Sequence, residues 1–273
     1  MFLEKNLFLH LERLMAITSS TFSVSRCLRN ITFMFGLLGL LMVSNVARAS
    51  LFGNDIKGSG NIKEQTREVG HFNALSLGLP ADVQLRQGNT ERVTISTDDN
   101  ILPLVETVVE HGVLKIQPAH EHTSFSSTKL IVIVEAKDIN NISIGGSGTI
   151  VADKLNAPRL SVAIGGSGIV QISGLNSDAL SISLGGSGGF KASGIANSIA
   201  ATIGGSGSVL MGHLEAKTVE VTLGGSGHAI VWAKSALRLM IAGSGSVDYY
   251  GDPAVSRSVF GSGQVTQLGA SPE

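Results

Sequence analysis

The side chains able to do chemistry are few and scattered. Between Ser143 and Leu268 the only acids are Asp153, Asp178, Glu215, Glu220, Asp248 and Asp252. A polysaccharide lyase or hydrolase needs clustered carboxylates, either as a general acid with its partner or as cation ligands beside a base. These six fall at different positions of successive repeats and predict no cluster. Asp98-Asp99 is the one adjacent acidic pair; neighbours on a strand point to opposite faces, and the pair reads as solvated turn residues. His120-Glu121-His122 puts two imidazoles on one side of an extended chain, a pattern that can chelate a metal. No third ligand stands at a recognisable spacing, so the segment reads as a polar loop. His213 and His228 read as isolated surface residues, and no spacing supports Ser-His-Asp catalysis. The expectation is no catalytic residue, no metal and no cofactor.

What the sequence has in abundance is a repeat. G-S-G recurs with its serine at Ser147, Ser167, Ser187, Ser206, Ser226, Ser244 and Ser262, at intervals of 20, 20, 19, 20, 18 and 18 residues. Five copies read G-G-S-G; Ala242 and Phe260 take the first glycine's place in the last two. Apolar residues alternate with Ser, Thr and Ala on both sides of the string. Ile144, Ile164, Leu184, Ile203, Leu223, Ile241 and Val259 precede it directly, and Ile150, Val170, Phe190, Val209, Ala229, Val247 and Val265 follow two residues after it. A third apolar position holds Leu155, Leu175, Ile195 and Leu214. Period-two alternation marks half-buried strands.

A unit of 18–20 residues buries a core only by stacking on copies of itself. Helical repeats need spacings of three and four, and propeller blades need about 40 residues. The predicted fold is all-β, a single-stranded parallel β-helix. The glycines flanking each serine are its predicted corners: Gly146 and Gly148, Gly166 and Gly168, Gly186 and Gly188, Gly205 and Gly207, Gly225 and Gly227, Gly243 and Gly245, Gly261 and Gly263. Glycine reaches positive φ without steric cost, and stacked corners leave little room for a Cβ. Calcium-binding rolls are excluded, because hydrophobic residues (Ile150, Val170 and their equivalents) occupy the aspartate position of their nine-residue unit.

Residues 71–270 form the predicted β-helix domain, with irregular first coils at 71–140 and regular repeats at 141–268. Residues 271–273 are a tail and 50–70 a charged lead-in carrying a lone Gly58-Ser59-Gly60. Within the irregular part, Asn100–Val109 suggests a short helical turn and His120–Thr128 a loop. Residues 1–49 read as a secretory signal, with a basic head, an apolar run from Ile31 to Val43, and Ala47-Arg48-Ala49 as the exit, so that cleavage falls between Ala49 and Ser50. The head is long enough for translation to start at Met15. The apolar run is short against the roughly 20 residues of a membrane span, so membrane association is expected only if the leader stays. Cys27, the sole cysteine, leaves with it. The leader holds five basic and two acidic residues, which leaves 15 and 19; this mildly acidic remainder gives nucleic acid no reason to bind.

From Phe72 onward the chain resembles the head GIN domain family of auto-transporter adhesins. Carrying the resemblance are Phe72-Asn73-Ala74-Leu75, Gly78, Asp82-Val83, Gln87-Gly88, Val113-Leu114-Lys115-Ile116 and the Ile-Gly-Gly-Ser-Gly repeats. It implies an exported bacterial β-helix protein with no established activity, and the lack of a carboxylate cluster favours a non-enzymatic module in the periplasm or at the cell surface. A cell-envelope protein or carbohydrate would be its partner, engaged by the long side of the helix. Outward apolar residues near the corners, Val151, Ile169, Leu210 and Ile230 with Trp232, suggest a contact strip; a covering loop from 100–128 would explain them equally well. A carbohydrate-active enzyme on the same scaffold is the alternative.

Overall fold

The structure, a computed structural model, describes residues 55–120 and 123–273. The leader with Ala49 and Ser50, and also Glu121 and His122, lie outside the described residues. The repeats wind into a parallel β-solenoid, as their spacing predicts. Each coil stacks on the next in register, so equivalent residues become hydrogen-bonded neighbours. One ladder runs Ile144↔Ile164↔Leu184↔Ile203↔Leu223↔Ile241↔Val259 along the side before the corner. The other runs Ile150↔Val170↔Phe190↔Val209↔Ala229↔Val247↔Val265 after it. Apart from Val259 and Val265 in the last coil, every member is buried. Strand spacing of about 4.8 Å packs each side chain on its equivalents above and below, and this continuous column is the hydrophobic core.

The corners divide the glycines into two groups. A Cβ on Gly186, whose φ is +137°, would lie 2.4 Å from the carbonyl oxygen of Gly166 one coil away. Behind the serine, Gly188 is buried, and a Cβ there would lie 2.4 Å from the carbonyl oxygen of Gly168. Both contacts recur up the stack. The first glycine of the string is different, since a Cβ on Gly185 meets nothing within 4 Å. This is the position where Ala242 and Phe260 stand, so the repeat tolerates side chains only where its geometry has room.

One repeat departs from the predicted pattern. Ile195 was expected in the third inward position, but it is 62% exposed. The interval from Ser187 to Ser206 is one residue short, and the ladder slips so that Gly194, not Ile195, pairs with Leu175. Loss of a single residue reverses which face a side chain takes.

The first half is not a simple run of early coils, because chain order and stack order differ. Strands Ala74–Leu77 and Asp82–Gln87 form a coil that pairs upward with Asn141–Ile144 and Thr149–Ala152. Val113–Pro118 and Leu130–Ala136, later in sequence, pair parallel beneath it. The intervening chain closes that end of the solenoid with antiparallel pairing. Arg92–Asp98 lies between Leu130–Ala136 and Ile62–Glu68. Val105–Glu110 and Val113–Pro118 form a hairpin turned by His111-Gly112, at φ 51° and 77°, where a two-residue loop of this kind needs positive φ twice. The lead-in read at 50–70 therefore ends as a sheet strand. The expected helical turn in 100–109 is only Leu102–Leu104, a 3-10 turn, and the 120–128 loop contains the short pairing of Phe125–Ser126 with Ile56–Lys57.

At the opposite end, Ala254–Gly261 and Gln264–Gly269 leave one edge unpaired among the described residues. Arg257 takes the column position of Leu239, and Gln267 that of Tyr249, with its amide donating to the Gly251 carbonyl at 2.8 Å. A charge at an inward position blunts an edge that would otherwise template further pairing.

Two outcomes follow. Gly186→Val should lower stability by at least about 2 kcal/mol, whereas Gly185→Ala and Ser187→Ala should stay within about 0.5 kcal/mol; urea midpoints that fall equally for all three would contradict the corner geometry. Replacing both Arg257 and Gln267 by Leu should promote self-association. Light scattering should then show a larger mass than the parent at equal concentration, and an unchanged mass would remove their role as stack terminators.

Candidate functional site

Asp98 is not a solvated turn residue, whereas Asp99 is a partly exposed one. Asp98 is fully buried; its carboxylate accepts from the backbone N–H of Gly60 and of Thr128, both at 2.7 Å. Burial works against the charge, but these backbone bonds outweigh it and hold the carboxyl below its usual pKa. Asp99 accepts from the Ser59 hydroxyl at 2.6 Å and the Asn61 amide at 2.8 Å, and these bonds lower its pKa too. Gly58 makes the approach possible, since a Cβ there would lie 2.3 Å from the Asp98 carboxylate. The lone Gly58-Ser59-Gly60 is thus the mate of Asp98-Asp99. The acids act as a clasp that ties the lead-in strand to the closed end of the solenoid.

The repeat-region acids do not gather into a cluster. Among the described residues no three His, Cys, Asp or Glu side chains could share a metal ion. Of the His120 triplet only His120 is described, and it is exposed. His228, read as isolated, is not: its Nδ1 lies 2.8 Å from the Ser246 hydroxyl, and its Nε2 lies 3.8 Å from Asp248. Neighbouring coils bring these three together, with Ser246 opposite His228 and Asp248 two residues along the same strand. A nucleophilic triad needs the carboxylate hydrogen-bonded to the ring to fix its tautomer, and 3.8 Å is too long for that bond. None of the three lines either depression described below.

Two depressions mark the outer wall. A groove of about 790 Å³ crosses the stacked strands before the corner, from Arg159 to Ser256. Half of its lining residues are Ser, Ala or Thr, with Leu160, Leu180, Ile199, Val219 and Leu237 among the rest and Glu220 and Arg238 near one end. A second cleft of about 380 Å³ lies on the side after the corner, lined by Gln171, Ser173, Lys191, Ser193, Leu210, Gly212, His213, Ile230 and Tyr250. It exists because the ladder breaks there. Leu210 pairs with Ile230, but the next pairing is Glu215 with Trp232, so Gly212-His213-Leu214 bulges. Tyr250 fills the space, close enough that a Cβ on Gly212 would lie 3.3 Å from its ring. Beside it, the Trp232 indole N–H is buried without a hydrogen-bond partner among the described residues, and the Lys234 ammonium stands 5.5 Å from the ring centre.

The predicted apolar strip does not form. In the row that contains Val151, Leu210 and Ile230, Gln171 and Lys191 intervene, and Ile169 belongs to a different row. Leu210 and Ile230 instead floor the cleft. Residues 100–128 do not line it. Sequence reading missed Gly212 and Tyr250; the interruption of alternation at Gly212-His213 was the available signal.

The molecule is thus a closed-ended parallel β-solenoid whose distinctive chemistry lies in depressions of its outer wall. The chain belongs to the family described as "Putative auto-transporter adhesin, head GIN domain", whose profile matches residues 71–253. That match stops one residue before the last coil. None of the curated proteins matches the sequence. Among solved structures, a "putative adhesin" of Bacteroides fragilis is similar at 25% identity and TM-score 0.74, over 78% of this chain and 100% of that one. A "putative lipid binding protein" of Parabacteroides distasonis shares the fold at 24% identity and TM-score 0.69, over 79% and 100%. A "putative adhesin" of Parabacteroides merdae does so at 23% and 0.58, over 78% and 99%. No helix of the described residues is long and apolar enough to cross a membrane.

The clasp has a pH signature. A carboxylate whose folded pKa is depressed stabilises the fold above the unfolded value, about 3.9, and that stability is lost as pH falls through the folded value. Asp98→Asn should therefore unfold more easily at pH 7 and lose part of the parent's destabilisation below about pH 4; parallel stability curves for parent and variant would count against the clasp.

Proposed function

We propose that this protein is an exported, non-catalytic binding module of the bacterial cell envelope, in the periplasm or at the cell surface, which holds its partner against the outer wall of the solenoid. The observation that carries this reading is the pair of depressions running across consecutive coils, each lined by side chains from several coils. Repeat solenoids use such extended walls for binding. Membership of a family described as a "putative auto-transporter adhesin" and likeness to a structure described as a "putative adhesin" support it. The partner is a cell-envelope protein or carbohydrate. The leader read at 1–49 supplies the route of export.

Fractionation of cells expressing the full chain tests this. The protein should appear in the periplasmic or extracellular fraction with its N-terminus at or near Ser50, and it should sediment with isolated envelopes. An intact leader in washed membranes, or no retention by envelopes, would reject the proposal.

A further inference from the structure

We infer that the cleft walled by Tyr250 binds an acidic pyranose, a uronic acid unit of an envelope or surface polysaccharide; this rests on the binding-module reading above. The cleft's volume, about 380 Å³, lies within the roughly 300–1,000 Å³ range of small-molecule sites, and its make-up follows their pattern of an apolar floor with a few polar groups. Leu210 and Ile230 form the floor and the Tyr250 ring a wall, surfaces suited to the C–H face of a sugar ring. Gln171, Ser173, Ser193 and His213 stand around them. The Ser193 hydroxyl donates to the Ser173 carbonyl and keeps its lone pairs for a ligand.

Charge selects an acid. Glu215 lies 3.8 Å from the Lys234 ammonium, and Asp248, outside the cleft lining, lies 3.8 Å from the His228 ring. Lys191 lines the cleft, no carboxylate lines it, and Lys191 has no carboxylate partner among the described residues. One free cation beside a sugar-sized platform is complementary to one carboxylate.

The same surroundings disfavour other occupants. Apart from the short interruption at Gly212-His213-Leu214, the strands beneath the cleft pair on both sides in parallel ladders, so a peptide finds no run of free strand edge to extend. A fatty acyl chain would meet the polar side chains of Gln171, Ser173, Lys191, Ser193 and His213 around Leu210 and Ile230.

Protein purified from cells expressing the full chain should be titrated with trigalacturonate, a hyaluronan tetrasaccharide and maltotriose. At least one acidic oligosaccharide should bind saturably and about tenfold more tightly than maltotriose. Tyr250→Ala should weaken it about tenfold, while Tyr250→Phe stays within about threefold. Lys191→Gln should erase the preference for acid, and Lys129→Gln, exposed at the closed end and outside both depressions, should change nothing. Urea midpoints confirm that each variant is folded. Equal binding of acidic and neutral sugars, binding indifferent to Tyr250→Ala, or binding of oleate vesicles or an acidic peptide instead would overturn the inference. If the protein sediments with envelopes but binds neither acidic probe, the cleft assignment fails and the binding-module reading stands; if it does neither, both fail.

Discussion

Each coil must present to the next the same backbone path, in register, at one strand spacing. Parallel pairing such as Ser161 to Ser181 or Val162 to Ile182 leaves each residue under its own equivalent, so any feature placed in one coil is repeated or absorbed by its neighbours. Inward positions become columns, and the column from Ile144 to Ile241 excludes water along its whole length. Corner positions become stacks of backbone, and there the carbonyl of one glycine lies where the Cβ of the next would stand. Core and corner are two consequences of the same spacing.

That constraint cannot hold at the ends, and the two ends meet this differently. At one, the chain leaves the solenoid, folds Val105–Glu110 and Arg92–Asp98 back in antiparallel pairing, and anchors Ile62–Glu68 through a buried carboxylate. Burying Asp98 is tolerable because two backbone N–H groups replace its water. At the other, the columns run out into Arg257 and Gln267. Antiparallel closure covers apolar surface, whereas a polar last rung makes further stacking unfavourable.

Stacking also explains why specific chemistry collects on the outer wall. Inside, a side chain must fit two copies of itself; outside, it need only be soluble. Outward rows accordingly vary freely, as in Gln171, Lys191, Leu210, Ile230 and Asp248. A depression needs more than variation, because a regular wall is flat. The bulge at Gly212-His213-Leu214 supplies it by opening the ladder, and Tyr250 reaches across two coils into the gap.

The amino-acid sequence by itself determined the solenoid. Period-two alternation and a glycine string every 18–20 residues admit no other way to bury a unit too short for its own core. It also decided that the corners turn on glycine, since the two glycines flanking each serine never vary through seven repeats. The tertiary structure alone decided the rest, because the rest depends on offsets between coils. Ile195 is exposed through a one-residue shortening whose effect appears only when Gly194 is seen opposite Leu175. Asp98 is buried by residues 38 and 30 positions away, and His228 meets Ser246 only because a coil of 18 residues sets them side by side. The stack order at the closed end was hidden for the same reason: alternation tells a strand which face to bury but not which strand it will lie against.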